Sequence, residues 1–269
     1  MELSITHLGL LEDEAIDLDT AALELAALDH EDADLDPYTQ VLGEISQRAA
    51  DHGALRGNSH ERARALAEVI AGEFGFAGDR TTYDSPDNAD LIRVIDRRRG
   101  LPVSLTILYV AAARRIGWEA DALNTPGHVL GRLGSETDPV LIDPFNGGAV
   151  VEAEAIAGLL SAGRASGAPS SRHLAPMSNR AVLVRLLTNQ AARAEQNGNL
   201  RRALKLYRRM TVFAPEHGQA WWERARLEVA HGDPGAARAS LGAMLETTRD
   251  PDVRSHINAA LSALSRLSH

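Results

Sequence analysis

The run from Leu105 to Ala113, LTILYVAAA, constrains this chain most tightly, because it is apolar almost all round. A helix with one polar face rests on a surface, whereas a helix without one must be enclosed. The flanks specify the helix. Gly100 and Pro102 break what precedes, and Ser104 is a good N-cap. Arg114 and Arg115 fall in the last turn, where cations suit the negative end of the helix dipole, and Gly117 supplies a left-handed C-cap. Ser104 is thereby expected at the positive end of a buried helix, where a nucleophile or an anion is stabilised.

Two short strands are expected next. Pro126-Gly127 is a turn signal and His128 opens HVLGRL, where a period of two puts His128, Leu130 and Arg132 on one face. A second apolar run, Val140 to Ile142, ends in Asp143-Pro144, and Asn146-Gly147-Gly148 turns the chain again. Antiparallel neighbours would bring Asp143 beside His128. A carboxylate there fixes the imidazole tautomer and leaves the other ring nitrogen to face Ser104. Ser104, His128 and Asp143 are therefore the candidate nucleophile, base and orienter. In the plainer alternative each has a structural role. Ser104 caps a helix, His128 is a satisfied core histidine, and Asp143 caps a turn before Pro144.

The segments GLPVSLTILYVAAARRIGW, NTPGHVLGRL and LIDPFNGG resemble the transglutaminase-like domain of the SirB-type bacterial proteins. YDSPDNADLIRVIDRRRG resembles the same family's lead-in, so the resemblance spans roughly Tyr83 to Gly148. It implies an α+β, papain-like core, with a helix bearing the nucleophile position packed on a small antiparallel sheet. In active transglutaminase-like enzymes the triad is Cys, His, Asp; those positions match Ser104, His128 and Asp143 here. Serine in place of cysteine argues against an active transglutaminase or cysteine protease.

Composition narrows the function classes. Among 269 residues there is no cysteine, which excludes disulfides, thiolate metal sites and a cysteine nucleophile. The ten histidines show no H-E-x-x-H or comparable spacing, so no metal and no cofactor are expected. Lys205 is the single lysine and a poor Schiff-base candidate. Arg97-Arg98-Arg99 reads as a solvated helix end and is a weak nucleic-acid signal, so no nucleic-acid partner is expected. MELSITHLGLLEDE has no basic n-region, and no stretch approaches the ~20 apolar residues that span a bilayer, so a cytoplasmic protein without membrane association is expected.

The net charge of −9 is unevenly spread: residues 1–47 hold 13 acidic residues and no Lys or Arg, while residues 172–269 hold 8 acidic and 15 basic. The acidic opening reads as helices over Leu18–Leu28, from Pro37 through PYTQVLGEISQRAADH, and from Ser59 (as N-cap) to Phe74. Its charge suits either a solvated face, the favoured reading, or a surface for a basic partner. Asp87 or Asn88 is placed to cap a helix from Ala89 to Arg98. Residues 162–171, AGRASGAPSS, read as a linker. Beyond it the chain is all-α and repeats: Gly198-Asn199 and Gly232-Asp233 lie 34 residues apart, as do Ala203 and Ala237, Tyr207 and Leu241, and Met210 and Met244. That period resembles tetratricopeptide repeats, with Pro215 and Trp221 at matching positions and Arg224 and Glu228 departing from the pattern. Two repeats are too few to stand alone, so they are expected to lean on the N-terminal part and on a last helix near Ser255 to Leu267.

The expected organisation is thus residues 1–171 as acidic lead-in and transglutaminase-like domain, and 172–269 as repeat-like helices. The expected function is that of a protein- or peptide-binding or regulatory module, a degenerate transglutaminase-like protein that takes its partner through those helices. The alternative is a serine-dependent hydrolase or acyl transferase acting on amide or ester bonds through Ser104, His128 and Asp143.

Overall fold

The computed structural model describes residues 5–30, 32–52, 57–125, 127–152, 154–158 and 174–267. Pro126 and the stretch read as a linker, 162–171, lie outside the described residues. The chain divides into two compact units: residues 13–186 form one, and residues 5–12 with 187–267 form the other. The division falls inside a single helix, Asn179–Gln196, and not at the expected linker. Among the described residues no helix is long and apolar enough to cross a membrane.

The first unit is α+β and is built around the helix Pro102–Arg115. In chain order it follows short α1 (Thr6–Leu10, a member of the other unit), α2 (Leu18–Ala27), α3 (Asp36–Asp51), α4 (Ser59–Ala67) and α5 (Leu91–Arg97), and is labelled α6. Every residue of α6 from Pro102 to Ala113 is buried. It packs on α2, α3 and the sheet. Its C-terminus closes as expected from Gly117: the Trp118 N–H donates to Ala113 O (2.9 Å) and the Gly117 N–H to Arg114 O (3.0 Å), with Gly117 at φ +78°. Its N-terminus differs. Leu101 is the N-cap residue and Pro102 opens the helix, so Ser104 is the third residue of the first turn and caps nothing.

Arg114 and Arg115 act as cross-links more than as dipole partners. Arg115 pairs with Asp19 of α2 (2.6 Å) and donates to Ser46 Oγ of α3 (3.0 Å). Arg114 reaches Asp121 (3.1 Å), Ala120 O (2.7 Å) and Asn179 Oδ1 (2.7 Å). The acidic opening therefore has internal work: Asp19 is buried, and Asp13 accepts from the backbone N–H groups of Asn179 and Arg180.

Two other expected caps are shifted by a residue or more. Asn58, not Ser59, caps α4, and Glu61 completes a capping box with it; Ser59 instead donates to Asp138 (3.0 Å). Asp90, not Asp87 or Asn88, caps α5. Residues Glu68–Glu73 continue α4 as a π-helical turn.

Two sheets complete this unit. β1 (Ala77–Gly78) pairs parallel with β2 (Arg99–Gly100). β3 (Ala120–Thr125), β4 (His128–Leu133), β5 (Val140–Asp143) and β6 (Ala149–Val150) form an antiparallel meander in that order. The expected strands from His128 and to Ile142 are both present, the second extended by Asp143.

The second unit is helical: α7 (Asn179–Gln196, shared), α8 (Leu200–Phe213), α9 (Gly218–Ala230), α10 (Pro234–Thr247) and α11 (Pro251–Leu267). The 34-residue correspondence is structural as well as sequential. Gly198 and Gly232 are both left-handed, and the side chains of Asn199 and Asp233 cap the helices that follow. Ala203, Tyr207 and Met210 are buried, as are Ala237, Leu241 and Met244. Residues 5–12, which open the acidic section, belong to this unit: α1 packs on α8, and Gly9 lies so close that a Cβ would come within 2.7 Å of Val212 O. Trp221 and Trp222 pack on the cluster of Ala225, Ala237, Leu241, Met244, Ile257 and Leu264.

The departure at Arg224 and Glu228 has a physical reason. Glu228 is 0% exposed and receives Arg224 (3.0 Å), Arg208 (3.3 Å) and the Ser240 hydroxyl (2.6 Å), so one carboxylate joins α8, α9 and α10. Removing one partner of a buried ion pair costs roughly 3–5 kcal/mol; because Arg208 is half exposed and can rehydrate, the low end applies. Glu228→Ala is expected to destabilise the protein by about 3 kcal/mol in urea denaturation, and Ser240→Ala by about 1 kcal/mol.

Candidate functional site

The site is assembled at the end of the β4–β5 pair. Gly131 faces Ile142 in the register, which places His128 level with Phe145, just beyond the end of β5, and Asp143 two residues away on the same side. His128 Nε2 lies 3.0 Å from Asp143 Oδ1. A carboxylate only accepts, so Nε2 carries the ring proton, and in the neutral imidazole Nδ1 is left as the basic atom. Among the described residues Nδ1 has no hydrogen-bond partner.

Asp143 fills both roles that the sequence left open. It orients His128, and it caps the turn Pro144–Asn146 by accepting from the N–H groups of Phe145 (3.0 Å) and Asn146 (3.2 Å). The Asn146 amide also donates to its second oxygen. Burial alone would raise this carboxyl; the hydrogen bonds from His128 and Asn146 overcome it and hold the group below its ordinary value. Behind it, Tyr109 of α6 is buried, and burial followed by the Asp143 charge keeps its phenol neutral far above the ordinary range. Gly148 admits this ring: a Cβ there would come within 2.7 Å of Tyr109.

Phe145 forms a floor. His128 and Tyr83 meet its ring edge-on at 6.1 and 5.8 Å between centroids. The Arg80 guanidinium stacks over it at 5.5 Å and donates to Asn146 Oδ1. Gly78 lies against the same ring, where any Cβ would come within 2.5 Å. The parallel β1–β2 pair thus sets the glycine beneath Phe145 and delivers Arg80 two residues later.

Ser104 takes a different partner. It is 0% exposed, and its hydroxyl donates to Asn88 O at 2.6 Å, not to His128. Asn88 is equally buried; its amide donates to Thr82 O (2.7 Å) and accepts from Arg97 (3.0 Å). Arg97 continues to Asp79 (2.9 Å), which also receives the Thr82 hydroxyl (2.6 Å) and the N–H groups of Thr81 and Thr82. This polar web holds the loop 79–88 that carries Arg80 and Tyr83. Of the three expected site residues, His128 and Asp143 are brought together, while Ser104 anchors the loop beside them.

A family model described as transglutaminase-like superfamily matches residues 36–188, more than half of the chain. The chain belongs to the transglutaminase-like superfamily. It is 28% identical over 264 residues to a UPF0162 protein of Xylella fastidiosa (strain 9a5c), covering 93% of this chain and 92% of that one. It is 35% identical over 97 residues to a UPF0162 protein of Vibrio cholerae, covering 35% and 36%. An 82-residue segment is 30% identical to F-box only protein 21 of Mus musculus, 30% of this chain and 13% of that one. No solved structure matches the chain.

In this transglutaminase-like domain the sequence reading missed Asp79, Arg80 and Phe145, and misassigned Arg97. Phe145 and Asn146 lie in the LIDPFNGG segment, but nothing local told that the ring would be a floor. All three arginines have protein partners: Arg97 on Asp79, Arg98 over Phe76 (4.6 Å), and Arg99, itself exposed, on Gly75 O (3.0 Å). The solvated end expected there is kept by the exposed Arg99 alone, just past the helix, while Arg97 and Arg98 are half-buried against their partners.

Asp79 supplies a pH test of the web. Burial alone would raise its carboxyl, but the Thr82 and Arg97 donors hold it well below the ordinary 3.8. A depressed native value means that its stabilisation is present above pH 3.8 and is lost as pH falls through the native value. Asp79→Asn is expected to lower stability by about 2 kcal/mol at neutral pH. Denaturation curves of variant and parent should converge as pH falls below 3.8; parallel curves would contradict the assignment.

Proposed function

We propose that this transglutaminase-like chain, of SirB type with tetratricopeptide-like repeats, is a cytoplasmic peptide- or protein-binding module that does not turn its ligand over. The observation that carries the reading is the Ser104 hydroxyl, fully buried and committed to the Asn88 carbonyl at 2.6 Å. A nucleophile must share a proton with its base and be reachable by an acyl carbon. The His128–Asp143 pair remains as an oriented hydrogen-bond acceptor, suited to a ligand N–H or O–H.

The helical unit supports the same reading. A cavity of about 400 Å³ opens between α9 and α11, lined by Trp222, Ala225, Val229, Leu241, Ala260 and Leu264, with Arg226 at its edge. A mostly apolar, open cleft of this size suits side chains of a bound segment.

The serine-hydrolase reading keeps His128 and Asp143 and requires Ser104 to leave Asn88 and become accessible. The two readings separate by labelling. The native protein is expected to resist fluorophosphonate labelling at Ser104 and to leave model amides and esters intact. Ser104→Ala is expected to cost about 1 kcal/mol of stability, the value of one hydrogen bond, since Leu101 N–H still serves Asn88 O. Robust turnover lost in Ser104→Ala would overturn the binding reading.

A further inference from the structure

We propose that Arg80, with Tyr83 and His128 around the Phe145 ring, forms a recognition site for a peptide carboxylate. The inference rests on the reading of the His128–Asp143 pair as a binding element, and it adds the chemical class of ligand.

Arg80 is a fixed cation without an ionic partner. Its guanidinium is held over Phe145 at 5.5 Å and by one hydrogen bond to Asn146 Oδ1. Among the described residues it pairs with no carboxylate, although Asp79, Asp84 and Asp87 all lie within seven residues of it. Asp79 is already committed to Arg97 and the threonines. One anchored N–H leaves the remaining donors of the planar fork for an incoming group, and an arginine held by stacking has already lost the freedom that binding would otherwise remove.

The surroundings select a monoanion. Arg80 is the only basic residue between positions 79 and 90, and of the four aspartates in that stretch Asp79 and Asp90 are paired with Arg97 and His30. Asp143 adds a further negative charge, held in its ionised form by His128 and Asn146. A dianion such as phosphate would meet one guanidinium against that background, whereas a carboxylate is matched by it in both charge and geometry. The same Asn146 side chain bonds Arg80 through its oxygen and Asp143 through its amide, so cation and imidazole are tied into one frame. His128 Nδ1, the basic ring atom, is set to accept an amide N–H. Tyr83, 40% exposed, leaves the aromatic floor open at its edge. A carboxylate and an amide N–H presented together are what a peptide offers at its C-terminal residue.

The test uses the full chain and N-acetylglycine as probe, followed by NMR at the Arg80 side-chain N–H and the His128 ring. Saturable shifts at both groups are expected, with affinity weakened about ten-fold or more in Arg80→Gln. Arg80→Lys, which keeps the charge and loses the fork, should fall between. N-acetylglycinamide and inorganic phosphate should not compete. Absence of saturable shifts, equal binding of phosphate, or unchanged affinity in Arg80→Gln with its fold intact would overturn the proposal. Should Arg80→Gln not fold, the Arg80→Lys titration decides alone, with unchanged affinity counting against it. Ser104-dependent turnover alongside Arg80-dependent binding would sink the non-hydrolytic reading and leave this one standing; binding independent of Arg80 would do the reverse.

Discussion

The complete enclosure of α6 governs the first unit. A helix buried from Pro102 to Ala113 leaves no water for any polar atom on it. Each such atom must find a protein partner, and the partners it finds fix the neighbouring segments. Ser104 takes Asn88 O, which holds the loop before α5. Thr106 takes Val129 O at 3.3 Å, which ties α6 to β4 beside His128. Arg115, at the end, draws Asp19 of α2 into the interior. Tyr109 is the exception: its hydroxyl lies buried without a hydrogen bond, close to Gly148 and Asp143. The helix therefore positions the site from behind, through its side chains, while the strands and loops supply the groups that face outward.

Charge is used in the same economical way. The acidic opening section is not a uniform solvated face. Asp19 neutralises Arg115, and Asp13 occupies the N-terminus of α7, where a carboxylate meets unsatisfied N–H groups. His30 joins Asp90, the cap of α5, at 2.7 Å. In the helical unit, the buried Glu228 gathers two arginines and a serine from three successive helices. The desolvation of such a buried carboxylate offsets most of the attraction it gains, so the net stability it adds over an apolar residue of the same volume is small, whereas removing it alone leaves its partners uncompensated.

Much of this was legible in the sequence, and the parts that were not have a common cause. Local signals were reliable: the apolar run located the buried helix, Gly117 its end, His128 and Asp143 the strand ends, and the paired Gly-Asn and Gly-Asp turns the helical repeat. Signals that depend on a residue's partner were not. Asn58 and Ser59 are both competent caps, and only packing against the 135–138 turn assigns Ser59 elsewhere. Asn88 had the right composition for a cap, yet its side chain is enclosed by Thr82, Tyr83 and Arg97. Arg97 had the composition of a solvated helix end, and the Asp79 that neutralises it lies 18 residues earlier. The same limit applies to Ser104: its place near the start of a helix was readable, whereas the direction of its hydroxyl depends on a carbonyl 16 residues away.

The hydroxyl's direction is the smaller of two obstacles to chemistry at Ser104. Turning it away from Asn88 O would forfeit one hydrogen bond, about 1 kcal/mol, and the carbonyl would keep its bond from Leu101. Thermal motion crosses such a barrier readily. Access is the larger obstacle. Val103 and Leu105 on either side are buried, and Gly100 before them is packed against Val94 and Leu105. An acyl carbon would have to enter an interior packed at crystal-like density, displacing side chains at several kcal/mol. Replacing oxygen with sulfur does not change that, and burial in apolar surroundings would raise a thiol rather than ionise it. In this structure the depth at which the hydroxyl is set therefore limits access to Ser104 more than the identity of its atom does.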